Sequence, residues 1–118
     1  MRGMSSPNFA IDSNPGSRPD IQILAAAGAI TSSNSATFQD AVSKVTARYL
    51  ILDLTAVPSV DSMAVGALVR TYVWCNKSGR RLALVGVNRR VHNVLELTGI
   101  EPLFDTFDTV AEAERSLS

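Results

Sequence analysis

Residues 50–79 constrain the fold more than any other part of the chain. Leu50-Ile51-Leu52-Asp53-Leu54 is short, aliphatic and bounded by turn formers. Such a run predicts a strand buried on both faces, as in a parallel sheet covered by helices. Pro58 cannot donate to a sheet ladder and marks the loop at residues 55–60. Asp61 and Ser62 are both residue types that cap a helix N-terminus. From Met63 to Cys75 there is no proline, and only Gly66 weakens the helix. Gly79, ahead of Arg80-Arg81, closes that helix as a C-terminal cap. The unit brings Asp61 and Ser62 to the carboxyl end of a sheet, where open α/β folds meet ligands and partners.

The flanking sequence continues this pattern. Phe9-Ala10-Ile11 predicts a short strand, residues 14–19 a hairpin loop rich in turn formers, and residues 21–26 the returning strand. Ser32-Ser33-Asn34-Ser35 is a capping run. The helix expected after it, over residues 36–46, places Phe38, Ala41, Val42 and Val45 on one apolar stripe. Val65, Leu68, Val69 and Tyr72 form the core stripe of the next helix. Residues 81–87 predict another strand. Asn88 predicts the cap of a helix over 89–98 with Val91, Val94, Leu95 and Thr98 inward and Gly99 at its end. Leu103-Phe104 follows as a short last strand, and Asp108 or Thr109 caps a terminal helix over 110–117. Strands alternating with helices imply right-handed crossovers. The expected fold is therefore α/β: one domain, a mixed and mostly parallel sheet of four to five strands, about four flanking helices and an antiparallel N-terminal edge hairpin.

Composition narrows the function. The chain has 118 residues, of which 46% are hydrophobic and 19% charged, enough for one domain with a proper core. Eleven basic and eleven acidic residues cancel, which removes the electrostatic case for direct nucleic-acid binding. No apolar run approaches the ~20 residues of a membrane helix, and no signal-like segment opens the chain. The lone Cys75 leaves no internal disulfide and suits a cytoplasmic location. No phosphate loop, G-x-S-x-G elbow or metal-ligand spacing occurs, so catalytic residues, metal and cofactor are all expected to be none. His92 has no ligand partner at metal spacing and is expected on the surface. Cys75 is expected as a small core hydrophobe.

Asp61-Ser62-Met63-Ala64-Val65-Gly66-Ala67-Leu68 resembles the D-S-x-G-L-G-x-L signature of STAS domains, especially as it stands in small bacterial anti-sigma factor antagonists. Leu95-Glu96-Leu97-Thr98-Gly99-Ile100 is similar to the family's helix ending L-x-x-x-G-h. The resemblance implies a STAS domain over residues 8–118, after a disordered start at 1–7. It implies binding to an anti-sigma factor, typically a serine kinase of the histidine-kinase ATPase type, with release of a sigma factor. Phosphorylation at Ser62 would break that complex and a phosphatase would restore it. The domain is then a substrate rather than an enzyme, and a monomer or weak dimer. A stand-alone accessory subunit of a lipid-transport ATPase and a small-ligand (nucleotide) sensor are the alternatives. At Gly28-Ala29-Ile30-Thr31 the family's usual G-E-L-D lacks its acidic pair, and Met63 and Ala64 depart from the usual Ser or Thr and Gly.

The binding surface expected from this resemblance comprises Asp61, Ser62, Met63, Gly66, Arg70 and Trp74, with Thr31, Ser32, Ser33 and Asn34 beside them. Taken without the resemblance, Ser62 reads as a helix cap. Trp74, between Arg70 and Lys77, fits either a partly covered flank or a partner anchor. Lys77, Arg80, Arg81, Arg89 and Arg90 fit either a solvated surface or a polarised face that orients a partner.

Overall fold

In the computed structural model of the chain, the described residues are 4–6 and 9–117. The strands are β1 (Met4–Ser6), β2 (Phe9–Pro15), β3 (Ile21–Ala27), β4 (Tyr49–Ala56), β5 (Arg81–Val85) and β6 (Asp105–Phe107). The helices are α1 (Ser35–Ser43), α2 (Val65–Lys77), α3 (Arg89–Leu97) and α4 (Val110–Ser116). One sheet holds the strands in the order β1-β2-β3-β4-β5-β6. β1 and β3 flank β2 antiparallel, and β3 through β6 pair in parallel.

The aliphatic run in β4 explains the two layers. Alternate residues of a strand point to opposite faces. Leu50, Leu52 and Leu54 join a large core with Phe38 and Val42 of α1, Leu68 of α2, and Val91 and Leu95 of α3. Ile51 joins a smaller one on the other face, with Ala83 and Val85 of β5 and Ala113 and Leu117 at α4. Both faces are covered, so neither could tolerate an alternating polar pattern.

The mixed sheet, antiparallel N-terminal edge and four flanking helices agree with the expectation, and the edge is one strand wider. Met4–Ser6 lies along β2 in register Met4↔Ile11, within the segment expected to be disordered. The other residues of that segment, 1–3 and 7, lie outside the described residues. β2 continues to Pro15, which shortens the expected hairpin loop. α1 ends at Ser43 rather than at 46, and the chain turns at Lys44 to carry Val45 into the core.

The last strand is displaced from 103–104 to 105–107. Glu101–Leu103 forms a 3₁₀ turn. Phe104 is buried edge-on to Tyr72, with ring centroids 5.9 Å apart. Burying that ring is worth more than pairing it in an edge strand. Thr98 is exposed, not inward; its hydroxyl donates to the Val94 carbonyl at 2.7 Å.

Candidate docking and modification site

The loops that leave β3 and β4 are joined through their main chains. Gly28 N donates to Ala56 O at 2.9 Å, Ile30 N to Ser59 O at 3.0 Å, and Asp61 N to Ile30 O at 3.1 Å. Ile30 and Val60 form an isolated parallel bridge, and both side chains are buried. The loop after β5 is tied in by Asn88. Its amide nitrogen donates to Val57 O and Pro58 O, each at 3.2 Å, while its Oδ1 caps α3 by accepting from Val91 N at 2.8 Å. Three loops at the carboxyl ends of adjacent parallel strands thus make one firm platform.

On that platform Asp61 closes a turn ahead of α2. Its Oδ1 accepts from Ala64 N at 2.8 Å, and its carbonyl accepts from the same amide at 3.0 Å. This corrects the expected cap. α2 starts at Val65 rather than 63, with Ala64 in the cap position and no side-chain cap. The Asp61 carboxylate takes the first free amide and winds residues 62–64 as a turn, so Ser62 precedes the helix instead of capping it. The Ser62 side chain is exposed, and its hydroxyl makes no hydrogen bond among the described residues. Next to it Met63 is 75% exposed. A hydroxyl free of structural duty on a pinned turn is available for group transfer from outside.

Thr31 to Asn34 stand beside this turn, because Ile30 and Asp61 are hydrogen-bonded. Asn34 holds their loop: Oδ1 accepts from Thr31 N and Nδ2 donates to Ala29 O, both at 2.9 Å. The expected capping run therefore serves its loop; Asn34 gives α1 no side-chain cap. Thr31 and Ser33 share a hydroxyl contact of 2.8 Å, and Ser32 and Ser33 are exposed.

Further along α2, Arg70 leans back over Gly66. Its Nη1 lies 3.2 Å from where a Gly66 Cβ would stand. Its Nε donates to Gln39 Oε1 at 3.3 Å. Gln39 Nε2 in turn donates to Ala67 O at 2.8 Å and Thr71 Oγ1 at 2.9 Å. Gln39, the buried Thr71 and Asn88's tie to the β4 loop were not foreseen as parts of this region. A polar Gln39 beside the inward Phe38 was the available signal.

Trp74 is not brought to Ser62. It lies eight residues past Gly66, about 12 Å along the helix. It is half-buried against the large core, with the Arg80 guanidinium 4.7 Å above its ring. The basic run is also divided: Lys77, Arg80 and Arg81 lie where α2 ends and β5 begins, whereas Arg89 and Arg90 open α3 at the other end of the sheet. Cys75 is buried, and burial pushes its thiol from 9.0 up to about 11 despite the nearby Arg80 charge, which pulls it down. His92 lies 3.5 Å from Glu96. Among the described residues no group of three or more His, Cys, Asp or Glu side chains could hold a metal, and no helix is long and apolar enough to cross a membrane.

Residues 15–113 match the family model described as STAS domain. The chain belongs to the STAS domain family. This STAS domain is 36% identical over 64 residues to a provisionally named anti-sigma factor antagonist of Thermotoga maritima. That alignment takes in 54% of the chain, and the chain spans 57% of the length of that curated relative. A crystal structure of a protein given that same provisional name, also from Thermotoga maritima, superposes with a TM-score of 0.79 at 26% identity, covering 90% of this chain and 92% of the other. An anti-sigma factor antagonist from Mycobacterium paratuberculosis shares the fold, with a TM-score of 0.82 at 20% identity, over 96% and 97% of the two chains.

Proposed function

We propose that this STAS domain is an anti-sigma factor antagonist switched by phosphorylation of Ser62. Unmodified, it binds an anti-sigma factor that is also a serine kinase of the histidine-kinase ATPase type, and a sigma factor is released. In the reverse step the Ser62 hydroxyl oxygen attacks the γ-phosphorus of ATP. The bond from that phosphorus to the bridging oxygen breaks, ADP departs, and the hydroxyl proton passes to a base of the kinase. A phosphatase returns the serine by hydrolysis. The domain acts as substrate and ligand in the cytoplasm, not as a catalyst.

The observation that carries this reading is the exposed, unbonded Ser62 hydroxyl on a turn held by Asp61 and by main-chain bonds to the neighbouring loop. The roles named for the relatives support it. Phosphorylation adds about −1.5 to −2 charge beside Asp61. Because no fold contact depends on the hydroxyl, the domain survives the change while a partner packed there meets new bulk and charge. The docking surface proposed is Asp61, Ser62, Met63, Gly66 and Arg70 with the loop Thr31 to Asn34; Trp74 belongs to a flank farther along α2.

The test is intact-mass spectrometry of the chain after incubation with ATP and each candidate anti-sigma kinase of the same organism, with Ser62→Ala in parallel. One added phosphate, absent in the variant, and a complex that forms only with the unmodified chain are expected. A complex that persists after stoichiometric phosphorylation, or no complex with any such kinase, would overturn the proposal.

A further inference from the structure

We propose that Arg70 is the intramolecular counter-ion of a phosphate on Ser62, so that phosphorylation removes a cation from the docking surface as well as adding an anion. This rests on Ser62 being a phosphorylation site and names the side chain that pairs with the phosphate.

Side chains on a helix lean toward its N-terminus, and residues four apart share a face. Arg70 follows that rule onto Gly66, where its Nη1 occupies the space next to the missing Cβ. Ser62 lies four residues before Gly66, on the turn that leads into α2. Ala64, at the head of α2, has φ −81 and ψ −13, within the helical region. Gly66 has no side chain, so none stands beneath the guanidinium at that position, on the side of the helix nearer the Ser62 turn.

The guanidinium is also held and uncommitted. Gln39 fixes Nε, and Gln39 is itself locked by Ala67 O and Thr71. Among the described residues Arg70 pairs with no carboxylate, and its Nη groups donate to no acceptor. An oriented guanidinium fork matches the oxygens of a phosphate, and charge-assisted pairs of this kind are the strong ones. The other charged side chains on the platform loops and helix starts are Asp61, whose carboxylate accepts from Ala64 N, and Arg89 and Arg90 at the start of α3; α1, packed against α2, adds Asp40, paired with Lys44 at 3.1 Å. Residues 31–35 carry no charge. In the unmodified domain Arg70 faces a partner; in the modified one it turns to the phosphate. A partner that reads Arg70 with a carboxylate then loses that contact and meets an anion in its place.

The measurement is a ³¹P NMR pH titration of the chain with phosphoserine installed at position 62 during translation, so that no kinase is needed. The second ionisation of the phosphate is expected to have an acid dissociation constant about three- to tenfold larger with Arg70 present than in Arg70→Gln. Gly66→Val, which puts a side chain against the Arg70 guanidinium, should give the same loss. A double variant Arg89→Gln, Arg90→Gln should leave the midpoint unchanged. Equal midpoints for the parent and Arg70→Gln, or a shift that follows Arg89 and Arg90 instead, would overturn the assignment. Failure of every kinase to modify Ser62 would count against the switch itself, whereas this titration decides the role of Arg70.

Discussion

At the start of α2, Ser62 and Met63 stand exposed on a turn whose main-chain groups are bonded to the neighbouring loop. At its far end the side chains are engaged instead. Arg80 bonds the Ala47 carbonyl at 3.0 Å and covers Trp74, and Cys75 is 2% exposed. One end leaves Ser62 and Met63 idle on a turn held by main-chain bonds and the Asp61 carboxylate; the other commits Trp74, Cys75 and Arg80 to packing and hydrogen bonds. The difference teaches where a surface can be modified without loss of fold. A hydroxyl can gain a phosphate where the main chain does the holding, but not where side-chain packing does.

The hardest way to break the platform end is Gly86→Val. Gly86 has φ +73, and an added Cβ would lie 2.8 Å from Thr55 Cα and collide with its hydroxyl. Left-handed strain and backbone overlap together should cost about 3 kcal/mol or more in urea denaturation. A cost under ~1 kcal/mol would mean that the turn after β5 is not pressed against Thr55 as described.

The packed end can be tested by pH. The Cys75 thiol ionises near 11 in the folded chain and near its ordinary 9.0 when unfolded. Between those values the unfolded state has already released a proton that the folded state keeps, so stability falls as pH rises. Two pH units at 1.36 kcal/mol each give a loss of up to about 2–3 kcal/mol, fully absent below pH 8. In Cys75→Ala this slope should vanish, as read by chemical denaturation at pH 8, 9.5 and 11. The same slope in both chains would show that Cys75 is not as closed as its burial implies.

A smaller effect is expected of Asn88→Ala. It removes the α3 cap and the two bonds to the β4 loop, and should cost about 1–2 kcal/mol. Faster hydrogen exchange at Val91 N should accompany it. Exchange unchanged at that amide would place the cap elsewhere.

The smallest change sharpens the comparison most. Ser62→Ala should alter stability by less than ~0.5 kcal/mol while abolishing phosphate incorporation. A large loss of thermal stability in this variant would mean that the hydroxyl has a structural duty after all.

What was legible beforehand follows from range. The Asn88 cap spans three residues and was read from the sequence; for the last helix the sequence left Asp108 and Thr109 open, and the structure has Thr109 accept from Glu112 N. The strand at β4 and the inward stripes of α1 and α2 were legible because burial on a known period leaves a pattern. Asp61 and Ser62 were placed at the right edge of the sheet but in the wrong position relative to the helix. Two cap-type residues in succession do not reveal which amide the carboxylate will take. Gln39 reaches Thr71 and Arg70 across 32 and 31 positions, a distance at which sequence carries no register. The basic residues between Lys77 and Arg90 were left open between a solvated surface and a polarised face, because the sequence does not show that β5 carries the two groups to opposite ends of the sheet.

The sequence by itself determined the α/β alternation, the buried central strand and the exposed Asp61-Ser62 step, because local periodicity, turn chemistry and capping are properties of neighbours in the chain. Only the tertiary structure decided that Ser62 stands free on a turn, that Trp74 lies away from it under Arg80, and that Arg70 leans over a bare Gly66 while Gln39 holds its Nε. Those outcomes depend on which helix packs beside which and on where main-chain hydrogen bonds close between loops, and neither is settled until the sheet has assembled.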